Sequence, residues 1–412
     1  MTTQKSLLSN TVWNTLGSIV YFACQWLITL IVVWLYDDYT NAGNLALAMT
    51  VTNIFYCIAI YNLRAYQVSD VLGEYSDREY VIARLVTCIG AITLCAVFVL
   101  ASGYPHEQVY IILCYMGFRS VEAFIDVLHG IAHKCLRLDL AGISMIVRGL
   151  LMLAAFYVLG WAFELLPAVI GMVFVTALFG LLFDFPNAKK LAAWEKFSLQ
   201  RIWGLLKRAF PLMLVILMIT FFASYTRYSL ERIHGTEALG AFATATTPAV
   251  AVQLAVSFLL APLMNLFSDC IKDSNRARFY KIFAISCAMI IGLTLIAVIA
   301  AHIAGQWGLR LLFGEDILPY TYLLSGAMMA TGLTASLWFM NVVFTTVRDI
   351  RGLFFGFVIG VAACIAAAEV FLREFGLVGA NYTMIACQAV AFLVLCVRFP
   401  RYVKTRGVFA EK

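Results

Sequence analysis

Twelve stretches of this sequence are apolar over about 20 residues or more, the length a helix needs to cross roughly 30 Å of hydrocarbon. They lie near residues 12–36, 43–66, 81–101, 108–132, 142–162, 166–185, 210–231, 239–265, 281–303, 319–343, 352–371 and 378–397. The 412 residues are 63% hydrophobic and 13% charged, against about 45–50% and about 25% in soluble domains. That excess cannot be buried in a water-soluble globule. A soluble enzyme, a nucleic-acid-binding domain and a disordered chain are excluded. The expected fold class is an all-α polytopic membrane protein of about 12 transmembrane helices. Pro167, Pro211 and Pro319 stand near segment starts, where a missing N–H costs least.

The charges sit mainly in the breaks between apolar runs. With the N-terminus in the cytoplasm, 21 of the 29 Lys and Arg residues fall on the inner side. Only Arg232, Arg310 and Arg373 fall outside. The net charge of +6 is therefore a matter of topology rather than of nucleic acid, with both termini cytoplasmic. Lys5 precedes a first run too long for a signal peptide, which reads as a retained span. The longest polar stretch, the basic linker 186–208, carries Lys189, Lys190, Lys196, Arg201, Lys207 and Arg208. It separates an N-terminal six-helix lobe, 1–185, from a C-terminal one, 209–397, with a cytoplasmic tail at 398–412. The halves share a rhythm of span, short outer turn, span and charged inner loop. Gly73-Glu74-Tyr75-Ser76-Asp77-Arg78 in one half answers Lys272-Asp273-Ser274-Asn275-Arg276 in the other. Parallel repeats about an axis along the membrane normal are expected.

Ionisable groups in hydrocarbon are costly and face protein or water. Tyr115, Arg119, Glu122, Asp126, His129 and His133 follow spacings of 4, 3, 4, 3 and 4. On a helix they occupy one stripe about 80° wide. Two readings stand. The stripe is a cavity wall with a cationic anchor, or an internal ladder in which Arg119–Glu122 and Asp126–His129 neutralise each other. Neutral stripes lie on other spans: Asn10, Asn14, Tyr21 and Gln25; Asn53 and Tyr56, continued by Arg64 and Gln67; Thr331, Thr334, Trp338 and Asn341. Interhelical hydrogen bonds are their expected role. Arg227 and Glu231 stand at i, i+4 amid Tyr225 and Tyr228. Arg119 and Arg227 lie deep, which favours a cavity. Arg64 and Arg148 lie near inner ends, within snorkelling reach of phosphates. Gly352, Gly356 and Gly360 form a close-packing face, and Pro248 interrupts a span.

The 11 cysteines include no CxxC pair and none in an outer loop, so they read as small apolar residues rather than a disulfide or zinc framework. There is no P-loop, dinucleotide fingerprint, HExxH or GxSxG. No cofactor, metal or catalytic residue is expected. The longest outer loop, near 304–318, is too short for a catalytic domain or for the paired arginines of a polymerase or ligase.

Several patches resemble one family. Arg64-Ala65-Tyr66-Gln67-Val68-Ser69-Asp70 with Gly73-Glu74-Tyr75-Ser76-Asp77 resembles the second-to-third-span junction of Wzx-type O-antigen and capsule flippases. The run from Arg119 to Gly130, then Arg137-Leu138-Asp139, Gly142-Ile143-Ser144 and Arg148-Gly149, resembles their fourth and fifth spans. Leu312-Phe313-Gly314-Glu315 and Phe375-Gly376-Leu377-Val378-Gly379-Ala380 resemble their late outer loops. That family belongs to the multidrug/oligosaccharidyl-lipid/polysaccharide exporter superfamily. The resemblance implies two six-helix lobes around a central cavity in the bacterial cytoplasmic (inner) membrane. It implies a non-enzymatic flippase moving an undecaprenyl-diphosphate-linked oligosaccharide of O-antigen, capsule or teichoic-acid type to the outer leaflet by alternating access. On this reading Arg64, Arg119, Arg148 and Arg227 hold the diphosphate. Asn14, Gln25, Tyr56, Tyr225, Trp338 and Asn341 meet the glycan, while Glu122, Asp126 and His129 couple transport to H+ or Na+. The partners implied are the lipid-linked oligosaccharide and membrane lipids, with no nucleic acid. The alternative is a cation-coupled multidrug/toxin antiporter of the same superfamily; the deep arginines argue against a cationic cargo.

Overall fold

The computed structural model describes residues 7–36, 38–70, 73–192, 194–195, 197–260, 263–273 and 275–406. Lys5, Lys196, Ser274 and the end of the tail, including Lys412, lie outside the described residues. Among the described residues every regular element is a helix. In order they are α1 (Leu7–Leu35), α2 (Tyr39–Ile60), α3 (Leu63–Ser69), α4 (Asp77–Ala101), α5 (His106–Lys134), α6 (Leu138–Ala162), α7 (Leu165–Phe179) and α8 (Phe185–Leu191). Then come α9 (Leu199–His234), α10 (Thr236–Leu260), α11 (Leu263–Lys272), α12 (Arg276–Phe313), α13 (Tyr322–Thr346), α14 (Ile350–Phe375) and α15 (Val378–Arg406). A π-helical turn, Gly180–Asp184, joins α7 to α8 in one span of 27 residues. Counting that composite, 10 helices among the described residues are long and apolar enough to cross a membrane. α5 and α10, with 29 and 25 residues, complete the set of about twelve. The chain is a multi-pass all-α membrane protein.

The helices cluster into two compact units, Met1–Leu217 and Met218–Lys412, so the division falls inside α9. In the first unit α1 lies along α6, and α5 touches α2, α3, α4, α7 and the π turn. The α1–α6 contact is backbone on backbone. A Cβ on Gly142 would stand 2.2 Å from the Trp13 carbonyl oxygen, and one on Gly17 would stand 2.5 Å from the Gly142 oxygen. Only glycine permits that approach. In the second unit α14 packs on α15 through the expected glycine face. Gly356 meets Leu395, and Gly360 meets Ala391 and the Phe222 ring. Asp349 caps α14 by accepting from the Gly352 amide at 2.9 Å and pairs with Arg398 at 3.0 Å. Pro248 lies within α10.

Two details differ from the sequence reading. The segment 43–66 is not one helix. Tyr61 and Asn62 both take positive φ, 46° and 52°, and end α2 before α3 begins. Arg64 and Gln67 therefore sit on α3 rather than α2, yet like Asn53 and Tyr56 they still meet α5, Arg64 at Asp126 and Gln67 at Gly130. The break costs backbone strain. It also interrupts the α2 ladder, and the Ala59 carbonyl accepts from Arg84 NH1 at 2.9 Å and Thr87 Oγ1 at 2.8 Å. The other difference is Pro211, which lies inside α9 rather than at a helix start. The helix begins earlier because Ile202, Leu205, Leu206 and Ala209 form an apolar face. That face packs into a buried cluster with Leu63, Tyr80, Val127 and Ala188.

Most of the basic stretch 186–208 is thus helical. Its α9 portion is tied to the loop before α4. Ser76 and Glu79 form a capping box at the start of α4. The buried Glu79 carboxylate also pairs with Arg201 at 3.1 Å. Arg208 pairs with Glu74 at 2.5 Å. Asp70 folds the same loop by accepting from the Glu74 amide at 2.8 Å, the Tyr75 amide at 3.0 Å and the Tyr80 hydroxyl at 3.1 Å. Partial burial pushes the Asp70 carboxyl up. Those hydrogen bonds, with Lys134 nearby, outweigh it and hold the pKa below its ordinary value.

Two outcomes are expected. Gly142→Ala lowers the melting temperature in detergent, because overpacking a close contact costs about 1–3 kcal/mol. Gly90→Ala, whose added Cβ meets nothing within 4 Å, does not lower it. A depressed native pKa gives stability that is complete above the unfolded value of about 3.9 and lost as pH falls through the native one. The Glu74 and Tyr75 amides should lose hydrogen-exchange protection, corrected for intrinsic rate, in that acid window. In Asp70→Asn they should exchange fast already at neutral pH.

Candidate functional site

α5 carries the polar stripe, and none of its six members is exposed. The stripe faces protein, and three linked groups follow one another along it. In the first, Glu122 accepts from Arg119 NH1 at 2.7 Å, from Gln25 Nε2 at 2.9 Å and from the Tyr21 hydroxyl. The Arg119 guanidinium lies 3.7 Å over the Tyr56 ring and reaches Asn53 Oδ1 at 3.4 Å. One carboxylate thus joins α1 to α5, and one guanidinium joins α5 to α2. In the second group Asp126 is clamped by Arg64 at 3.1 Å and Arg84 at 2.9 Å. In the third, His129 Nε2 stands 3.0 Å from Asp184 Oδ1, and Ser144 Oγ donates to Asp184 Oδ2 at 2.8 Å.

The ladder reading of the stripe is half right in its partners. Arg119–Glu122 forms as expected. Asp126 and His129 do not pair with each other, because each finds a closer partner on another helix. Arg84 and Asp184 are the residues that sequence reasoning missed. Arg84 is fully buried (0% exposed) although it sits in an apolar run. A single arginine early in a span was its signal. Asp184 closes the π turn, whose defining bond runs from the Phe185 amide to the Gly180 carbonyl. That wider turn sets its direction.

The seam holds more positive than negative charge. Its guanidiniums are Arg64, Arg84, Arg119 and Arg148; its carboxylates are Glu122, Asp126 and Asp184. Arg148 is the odd one. It is 4% exposed, stacks at 4.8 Å over the Tyr21 ring and pairs with no carboxylate among the described residues of its unit. Its Nε and one terminal nitrogen have no hydrogen-bond partner, and neither has Arg119 Nε. Buried donors without acceptors are costly, and a charged donor more so. Gln67 is also buried, with both amide atoms unpartnered, and lies against Gly130. A small cleft beside the third group is lined by Leu128, His129, Ala132, Leu140, Phe183 and Asp184.

The remaining sequence candidates are dispersed. Asn14 is half-buried on α1, and Arg64 sits on α3 beside the helix break. In the second unit Arg227 of α9 has a buried Nε without a partner and no carboxylate within ion-pair distance among the described residues of its own unit. Tyr225 stacks on Phe221 with ring centroids 5.0 Å apart. On α13, Thr334 accepts from Gln388 Nε2 at 3.0 Å, Asn341 is half-buried and Trp338 is exposed. Among the described residues no group of three or more His, Cys, Asp or Glu side chains stands close enough to hold a metal ion.

Breaking one clamp should show how strongly the seam is held. Asp126→Asn leaves Arg84 buried without a counter-charge and should cost about 3–5 kcal/mol in detergent unfolding. Arg84→Met in the same chain should recover part of that loss, a coupling that a double-mutant cycle measures.

No protein-family model matches the chain. A capsular polysaccharide biosynthesis protein, CapF of Staphylococcus aureus, is 24% identical over 354 residues, 80% of this chain and 86% of that protein. Among solved structures, the lipid II flippase MurJ in an inward closed conformation superposes with a TM-score of 0.72 at 11% identity, covering 94% of this chain and 87% of that one. An inward-facing multidrug resistance MATE family transporter of the MOP superfamily gives 0.70 at 13% identity, covering 97% and 100%. The fold of this multi-pass membrane protein is that of the MOP-superfamily transporters.

Proposed function

We infer that the protein is a flippase for an anionic lipid-linked oligosaccharide. Its cargo on this reading is an undecaprenyl-diphosphate-linked repeat of capsule, O-antigen or teichoic-acid type. It moves from the inner to the outer leaflet of the bacterial cytoplasmic membrane by alternating access. The observation that carries the reading is the surplus of one guanidinium over the carboxylates along the α5 seam, centred on the buried Arg148 with its unpaired nitrogens. A diphosphate supplies what those donors lack, since guanidinium binds phosphate oxygens with parallel hydrogen bonds. Arg119 and Arg148 in the first unit and Arg227 in the second each offer unused N–H groups. Arg64, half-buried beside the helix break, stands ready to meet phosphate near the inner end of its span. Asn14, Gln25, Tyr56, Tyr225, Trp338 and Asn341 are proposed to meet sugar hydroxyls and faces.

In the coupling set, Glu122 and Asp126 are committed to arginines. His129 is the member held by no arginine; it pairs with Asp184. Coupling to H+ or Na+ is assigned to this set. The names of the similar proteins support the reading: one belongs to capsular polysaccharide biosynthesis and one is a lipid II flippase. The antiporter alternative draws on fold likeness, and the surplus positive charge disfavours a cationic drug.

The test is transport of a fluorescent polyprenyl-diphosphate oligosaccharide in proteoliposomes. Arg148→Ala and Arg227→Ala should each slow it about tenfold or more, the loss of one charge-assisted contact. Normal insertion and melting temperature are the controls. Unchanged glycolipid transport in both variants removes the anchor, and ethidium efflux in place of glycolipid transport selects the antiporter.

A further inference from the structure

The first unit bears an exposed surface that the transport reading does not use. α9 has 36 residues, so it is about 54 Å long against roughly 30 Å of hydrocarbon. Its apolar sequence begins near Phe210, which leaves the first three turns at headgroup depth or beyond. Those turns are amphipathic. Ile202, Leu205, Leu206 and Ala209 are buried, as described above. The adjoining face, about a quarter-turn away, shows Leu199 (73% exposed), Trp203 (60%), Lys207 and Phe210 (45%), at spacings of 4, 4 and 3. The Lys207 ammonium lies 5.6 Å from the Trp203 ring.

Neighbouring exposed groups have the same character. Trp194 and Phe197 are exposed, and the Arg78 guanidinium lies 4.7 Å over the Phe197 ring. Trp194 Nε1 donates to the Lys189 carbonyl at 3.1 Å, which places the indole beside the exposed Lys189 and Lys190 at the end of α8. Arg201 and Arg208 are occupied by Glu79 and Glu74. Arg78, Lys189, Lys190 and Lys207 pair with no carboxylate among the described residues, and Glu195 is the exposed acid of the stretch. Indole and phenyl rings with lysines between them suit the interface, where apolar bodies enter the acyl boundary and ammonium groups meet phosphate.

We propose that the surface formed by Arg78, Lys189, Lys190, Trp194, Phe197 and the exposed side of residues 199–210 is a docking platform for anionic phospholipid headgroups of the leaflet on that side. The occupant is bilayer lipid, selected by its net negative headgroup. Charge complementarity selects it, and the continuity of α9 into a spanning segment sets its depth. Binding orders the start of α9 against the bilayer and needs no cargo.

Native mass spectrometry of the full chain, released from equimolar phosphatidylglycerol and phosphatidylcholine, tests this without transport. Its result is therefore separable from the flippase reading. The wild type should carry phosphatidylglycerol in excess. The Lys189→Gln/Lys190→Gln/Lys207→Gln variant should lose that preference about fivefold or more, and the corresponding triple arginine variant should keep it. The same preference in wild type and glutamine variant overturns the proposal, as does equal loss in the arginine variant. If the glutamine variant is not recovered folded, the wild type decides. A preference that collapses at about 0.5 M salt supports the platform, and one that survives unchanged overturns it.

Discussion

The cost of placing guanidinium groups among membrane-spanning helices governs the first unit. Each one needs an acceptor or an aromatic face, and two of the three polar groups along α5 answer that need. Asp126 takes two arginines from two other helices. Tyr56 and Tyr21 cover Arg119 and Arg148. The break between α2 and α3 belongs to the same account, since the carbonyl it frees is held by Arg84, the most deeply buried of the set. Close helix approach at Gly17 and Gly142 then fixes α1 against α6, so the Tyr21 and Gln25 side chains of α1 are carried to Glu122.

The second unit is built differently. Its helices meet through glycine faces, aromatic rings, the Asp349–Arg398 ion pair and a few neutral hydrogen bonds, such as Gln388 to Thr334. Phe279, Phe283 and Phe399 stack, with ring centroids 5.3 to 6.1 Å apart along the run. Arg227 stands out there because it brings charge without the supporting acceptors that surround Arg119. Two halves of similar hydropathy rhythm thus reach stability by separate means, and polar chemistry is concentrated in the first.

Helix number, the polar face of α5 and the glycine face of α14 were legible in the sequence because each is a local periodic signal. Partners were not. Whether Asp126 meets His129 on its own helix or Arg84 on α4 depends on which helices pack together, which spacing does not encode. The break at Tyr61–Asn62 also escaped, since neither residue is glycine or proline; Asn62, tolerant of the left-handed region, was the faint sign. The stretch before Pro211 was read by its charge as a linker. Its apolar residues at 202, 205, 206 and 209 repeat at helical spacing, and that period marks the early start of α9. Average hydropathy hid it, because lysine and arginine alternate with the buried face.

The π turn at Gly180–Asp184 has a consequence for how such a chain can change over generations. A π turn accommodates one more residue than an α-helical path of the same reach. Everything beyond it is swung by about 100° relative to an uninterrupted helix. Here that swing turns Asp184 toward His129 while Ala188, one turn later, still seats in the inner cluster. Gly180 packs there at close quarters on α5, since a Cβ at that position would stand 2.8 Å from Ile125 Cδ1. A one-residue insertion can therefore introduce a buried acid–imidazole pair without displacing either flanking segment, a route to new ion chemistry that leaves the scaffold's outline intact.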